Sequence, residues 1–408
     1  MRARQFGGWA LAIWALTLPA AAQETGPTRA EAARAVRDAK AAGTAPYAPG
    51  RVERVLDFVE TSRTVRRILA PTQGWGIRIG GIENGSGLAT GPSWRSRRFD
   101  GNLEATASGV AAISGDREVA AGLTIPQLGS HRLSAEVTAS STHLAGERFF
   151  GLGHDTRRDE ETAFHLDQRS VRAGVSLDAA SWLRVSGGAA LLDADSGDGR
   201  RRGVPGIGMR FDSGNTPGLA DPATLRVVSL AATVDTRDVP GNPRGGGRYH
   251  LGVARYVDTA RDRYSFTRID AEFEQHLSAW RRQRVLTLRA VASSAIADEG
   301  HDVPFYLQPS LGGSRLLRGF VTDRFRDTTL VALQAEYGFD LLPFVSAVAF
   351  YEAGAVAPRW QALSLGNLRR DYGLGFRFGG ARAVAFRTDV AFGSGEGTRL
   401  TMRFNHAF

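Results

Sequence analysis

Apolar and polar residues alternate strictly, segment after segment, from about residue 74 to the end of this chain, which dictates extended strands with one greasy and one polar face. In 225–237, Val228, Leu230, Ala232 and Val234 alternate with Ser229, Ala231, Thr233 and Asp235. Tyr372, Leu374, Phe376 and Phe378 alternate with Asp371, Gly373, Gly375 and Arg377. Leu400, Met402 and Phe404 alternate with Arg399, Thr401 and Arg403. About sixteen such segments can be placed, at 75–83, 86–98, 100–113, 115–126, 131–144, 162–178, 181–194, 223–237, 247–259, 264–278, 281–296, 328–341, 345–357, 368–379, 383–393 and 398–408. Their lengths suit the ~9–11 residues that a tilted strand needs to cross a bilayer.

The connections sort by parity. The long links, 145–161, 195–222, 297–327 and 358–367, all follow odd-numbered segments, whereas links after even ones are mostly tight. A two-sheet sandwich has no reason to sort its loops so; a membrane barrel has short turns on one side and long loops on the other. Segment 268–276 places Arg268, Asp270, Glu272, Glu274 and His276 on one face, as a polar lumen would allow. The slightly negative mean hydropathy is compatible with this, because only every second residue of a barrel strand meets lipid. Closure is a physical requirement, since an open edge in lipid strands unpaired backbone groups. The fold class expected is all-β, a sixteen-stranded antiparallel transmembrane barrel occupying 74–408.

Arg2 and Arg4, an apolar run over 9–18 and the small residues Ala20, Ala21 and Ala22 have the order of a secretory signal, with cleavage expected after Ala22. The protein is therefore expected in a bacterial outer membrane, surrounded by its lipids and assembled there by the cell's own barrel-assembly machinery. The stretch 23–73 reads as a periplasmic helical segment: Val52, Val55, Leu56 and Val59 form one apolar stripe, and Pro71 stops it. That stripe either packs against the barrel base or serves as a plug or docking helix.

With no cysteine, the chain has neither disulfides nor thiolate metal sites. Its net charge of +9 comes almost wholly from dispersed arginines, read as lumen and rim residues rather than a nucleic-acid surface. It carries no G-x-S-x-G elbow, H-E-x-x-H or Walker loop, and its eight histidines lack metal spacing. Neither an enzyme nor a cofactor is expected.

The motifs of the loops say more. The stretch 302–327 contains Leu317-Arg318-Gly319-Phe320 and lies in the sixth external loop by parity. Asp235-Thr236-Arg237-Asp238 is followed by Asn242-Pro243-Arg244-Gly245-Gly246. Phe149-Phe150-Gly151-Leu152-Gly153-His154-Asp155 and Phe350-Tyr351-Glu352-Ala353-Gly354 complete the set. Over about 75–408 the chain resembles the BamA/TamA-type outer-membrane assembly factors, also called bacterial surface antigen proteins. The resemblance implies that the sixth loop folds into the lumen and that Arg318 meets acids on the twelfth to fourteenth barrel strands, here Glu336 and Glu352. Glu352 replaces the family's usual aspartate. The last strand, with Leu400, Met402, Phe404 and the terminal Phe408, is similar to an outer-membrane assembly signal, although His406 stands where an apolar residue is usual. Family members that handle proteins carry POTRA domains; the roughly fifty residues between Ala22 and the first strand are too few for one, which implies a domain-poor branch.

Two readings of function follow. One is a barrel that inserts or translocates unfolded outer-membrane or secreted proteins, or lipids, through a weak seam between its first and last strands. The glycines of the first segments (Gly74, Gly76, Gly80, Gly81, Gly85, Gly87) suit such a seam. The other is a passive diffusion channel or structural barrel. Arg318 is correspondingly either a structural latch or a participant in substrate handling.

Overall fold

The computed structural model describes residues 73–82, 87–129, 132–279, 283–342, 344–380 and 383–404. The expected leader (1–22), the expected helical segment up to residue 72, and Phe408 lie outside them. The strands, in order, are β1 Gly74–Gly80, β2 Ala89–Arg98, β3 Leu103–Ala112, β4 Arg117–Ile125, β5 Leu133–Phe149, β6 Thr162–Ala180, β7 Leu183–Asp198, β8 Ala223–Asp235, β9 Gly246–Asp258, β10 Phe266–Ala279, β11 Arg284–Ala297, β12 Ser310–Leu311, β13 Phe325–Arg326, β14 Thr329–Leu342, β15 Val345–Ala357, β16 Arg369–Gly379, β17 Val384–Phe392 and β18 Arg399–Phe404. Sixteen form one antiparallel sheet in chain order, a transmembrane β-barrel; β12 and β13 pair separately as a small hairpin within the sixth loop.

Alternation fixes which face meets lipid. Val228, Leu230, Leu251, Leu333, Leu374, Leu400 and Met402 project from the outer wall, while Asp371, Arg377 and Asp389 are buried within. The border of the apolar band can be read on β6 and β7. Val171 pairs with Leu191, both apolar and exposed, and the next outward pair toward the loops is Arg169 with Asp193. Beyond it the outer face is polar, with Asp167 opposite Asp195. At 19 residues β6 far exceeds the ~9–11 needed to span. Strands β5–β7 thus project past the bilayer, further than the alternation at 131–144 and 181–194 indicated.

The parity of the connections holds: the long links 150–161, 199–222, 298–328 and 358–368 share the loop end of the barrel. The opposite, turn end is where β1 begins and β18 finishes. The lumen is less uniformly polar than expected. At the loop end, Phe149, Phe164, Ile207, Leu219, Phe305 and Tyr306 pack into an apolar cluster, with Phe305 edge-on to both Phe149 and Phe164. Loop residues supply four of these six, because wall positions alone cannot fill so wide a cylinder at protein packing density. Among the described residues the end strands are the shortest of the sheet: β1 has 7 residues and the described part of β18 has 6, against 9 in β4 and β17. Among the described residues no backbone ladder joins β1 to β18.

Candidate functional site

The sixth loop turns back into the barrel and is fastened there by Arg318. Its path is set by a compact turn in which Gly312 N donates to Leu316 O (3.1 Å) and Phe320 N to Leu317 O (3.1 Å). Leu317 takes a left-handed conformation (φ 58°), a cost of order 1–3 kcal/mol that its surroundings must offset. They do so by burial: Leu317 and Phe320 pack with Leu311, Phe325, Leu330, Ala332 and Val356, so the hairpin and the walls of β14 and β15 enclose the turn.

The polar side of this turn faces acids. Arg318 donates through Nε to Glu352 Oε1 (2.8 Å) and through its backbone N–H to Glu352 Oε2 (2.6 Å). Its Nη1 reaches Glu336 Oε2 at 3.1 Å and lies 3.3 Å from Asp389 Oδ1. The guanidinium lies over the Phe350 ring, 3.5 Å from its centroid, which covers the flat face that has no donors. Burial works against this charge, yet Glu352, Glu336 and Asp389 outweigh it and hold Arg318 above the ordinary arginine range. Gly319 N donates to Asp371 Oδ2 at 2.7 Å. A Cβ on Gly319 would stand 2.8 Å from Asp371 Cβ, so this close approach requires glycine.

Arg318, Glu336 and Glu352 are thus in direct contact, with Leu317 and Phe320 in the apolar half of the same turn. Alternation left the facing of Glu352 open; it points inward with no solvent exposure. Four further members were not singled out from sequence. Arg377 binds Glu336 (2.7 Å) and Asp389 (2.6 Å), and Gln334 binds Glu352 (2.6 Å) while Asp371 holds Gly319. All four sit at inward positions that the period-two pattern reveals, but only the path of the loop decides which of them meet Arg318.

The other motif residues fall elsewhere. Phe150, Gly151 and Gly153 belong to the roof at the loop end. Gly153 N donates to Arg326 O (2.8 Å), and Phe150 lies under the guanidinium of Arg324, 4.8 Å from ring centroid to Cζ. Arg324 also donates to Thr156 O (2.7 Å) and to Glu396 (2.6 Å), tying the sixth loop to the β5–β6 and β17–β18 loops. Asp235, Arg237 and Asp238 lie at the turn end; Arg237 grips Asp235 with Nε (2.9 Å) and Nη2 (2.6 Å). Leu400 and Met402 face outward on β18, Phe404 is the last described residue of that strand, and Phe408 lies beyond the described residues.

The Omp85 superfamily domain matches residues 102–406. No curated protein matches the sequence. Among solved structures, BamA from Haemophilus ducreyi lacking POTRA domains 1–3 is similar with a TM-score of 0.59 at 12% identity, covering 82% of this chain and 68% of that one. CdiB from Escherichia coli is similar with a TM-score of 0.51 at 14% identity, covering 80% of this chain and 61% of that one. At such identities these two likenesses speak to the fold, which they share with this barrel. The family match spans most of the sheet and the latched loop with it: the chain belongs to the Omp85 superfamily and is an outer-membrane β-barrel of that kind.

Proposed function

We propose that this barrel inserts polypeptides into the outer membrane or passes them across it, by parting and resealing its wall between β1 and β18. The observation that carries the reading is the seam. β1 has only 7 residues, which caps any ladder it can make with β18, whereas the ladder between β10 and β11 runs over 14 residue pairs. Each hydrogen bond contributes a net of about 0.5–1.5 kcal/mol, so a short ladder is the least costly place to open. Gly74, Gly76 and Gly80 give β1 little side-chain packing with which to hold a neighbour. On this reading the protein works by conformational change rather than covalent chemistry, and its client is an unfolded, strand-forming polypeptide.

The alternative, a passive diffusion channel, fits the interior poorly. The lumen that a solute would cross holds the sixth loop, fixed by buried Arg318 and Glu352, and the roof is pinned by buried Arg324. The test uses cysteine pairs, one on β1 and one on β18, in a chain that has no native cysteine. Oxidative closure of the seam should abolish client insertion into vesicles and reduction should restore it, while the folded band on a gel is unchanged. Insertion that proceeds at full rate with the seam locked, together with a steady ion conductance, would instead support the channel.

A further inference from the structure

The Asp-Thr-Arg-Asp and Asn-Pro-Arg-Gly motif has no part in the latch, and its geometry gives it a task of its own. The link 236–245 between β8 and β9 is, at ten residues, longer than the other links at the turn end. Its root is a continuation of the ladder, with Thr236 N donating to Gly247 O (2.8 Å) and Asp238 N to Gly245 O (3.1 Å). Asp238 then organises the bend: its Oδ1 accepts from the N–H groups of Val239 (2.9 Å), Arg244 (2.9 Å) and Gly245 (3.2 Å). Pro240 and Pro243 stiffen what lies between.

The tip of the bend is fastened to distant parts of the wall. Arg244 makes a two-pronged contact with Asp340, at 2.7 and 3.0 Å, where β14 turns into β15. Asn242 Nδ2 donates to Gly380 O (3.0 Å) and Val384 N donates to Gly241 O (3.2 Å), both at the turn from β16 to β17. These turns stand three and five strands further round the sheet from β9. The six residue-to-residue steps from Asp235 to Gly241 reach at most about 20 Å when extended, so the bend must cut across the opening rather than follow the rim. Both docking points coincide with irregular register: the β14–β15 ladder slips between Asp340 and Leu342, and the β16–β17 ladder between Phe378 and Gly379. In each case the ladder shifts register where the bend arrives and then resumes, as at a bulge.

We propose that residues 238–245 form a strap across the turn-end mouth of the barrel, held shut by the Arg244–Asp340 ion pair and by the hydrogen bonds of the Asn242 side chain to Gly380 O and of Val384 N to Gly241 O, and that releasing it admits extended chain or solute to the lumen below the Arg318 latch. The inference concerns access to the lumen and stands independently of what the barrel handles. Among the described residues its fastenings are suited to release, being a partly exposed ion pair and two hydrogen bonds. The latch, by contrast, combines buried charges with an apolar cluster.

The absence of native cysteine makes the strap testable. Thr287 faces inward, donating to or accepting from His276 (2.9 Å) and pairing in register with Glu336. A Thr287→Cys reporter therefore lies inside the mouth, at the level of the latch. In the purified full-length protein in nanodiscs, a bulky charged maleimide should label this reporter slowly. Adding Arg244→Ala with Asn242→Ala should raise the labelling rate at least tenfold, and the milder Asp340→Asn should raise it severalfold with the folded gel band retained. An unchanged rate in either folded variant would overturn the proposal. Separately, Asn242→Cys and Gly380→Cys should be joined in high yield by a short bismaleimide in the folded protein; failure to join would likewise overturn it.

Discussion

Glu352 is enclosed completely and takes both the side-chain and the backbone donor of Arg318. Such a pair contributes little net stability over well-packed apolar residues, because burial of both charges offsets their attraction, but removing one partner strands the other. Arg318→Ala should therefore lower stability by about 3–5 kcal/mol. The readout is the urea midpoint for loss of the folded, heat-modifiable band. The double variant Arg318→Met with Glu352→Leu should lose clearly less than the sum of the two single changes, since neither charge is then left alone. A second prediction concerns an arginine pair at the edge of the sheet. Arg387 faces Arg403 across β17 and β18, and Asp389, on the same face of β17, is already bound by Arg377. Like charges directly opposite are unfavourable, and an opposite-charge pair in their place contributes roughly 0.2–1 kcal/mol. Arg403→Glu should thus raise the urea midpoint slightly; a fall would show that the long Arg403 contact to Ser314 O (3.4 Å) outweighs the repulsion.

Elements divide into those that period two announces and those that it cannot. The sixteen wall strands were legible because lipid on one face and a filled interior on the other impose alternation along every one of them. The projecting halves of β5–β7 were not, because above the Val171–Leu191 pair water lies outside and the apolar cluster lies inside, which inverts the pattern. The hairpin of β12 and β13 has two residues in each strand, too few for any period. Phe305 and Tyr306 sit in the roof's apolar core from a loop with no repeat to signal it. Arg318 stood out only through the family-like Arg-Gly-Phe setting, whereas Arg377 and Asp389 were visible as inward residues but not as its neighbours. One prediction belongs to this scale. Arg324 is buried and joins the sixth loop to Thr156 and Glu396. Arg324→Ala should open the β5–β6 and β17–β18 loops to added protease, giving cuts near 156 and 396 while the wall strands stay resistant. An unchanged cleavage map would mean that the apolar cluster alone holds the roof.

The restraints seen across the whole molecule converge on one sector of the wall. The latch takes its acids and its second arginine from β14, β15, β16 and β17. In register, Asp389 stands opposite Thr401 of β18, so the latch ends one strand short of the seam. If the wall parts between β1 and β18, β18 can move only as far as β17 allows, and β17 is tied through Asp389 to both Arg377 and Arg318. Loosening the latch should therefore act unevenly round the barrel. In Arg318→Ala, backbone amide exchange should accelerate most in β16–β18. The far wall of β8–β10, which supplies no latch residue, should keep its protection. Each 1.4 kcal/mol of lost restraint is a tenfold faster exchange where local opening governs it, so a loss of even half the expected energy is readable strand by strand. An even acceleration in all strands would make the latch a general stabiliser of the barrel, with no privileged hold on the seam.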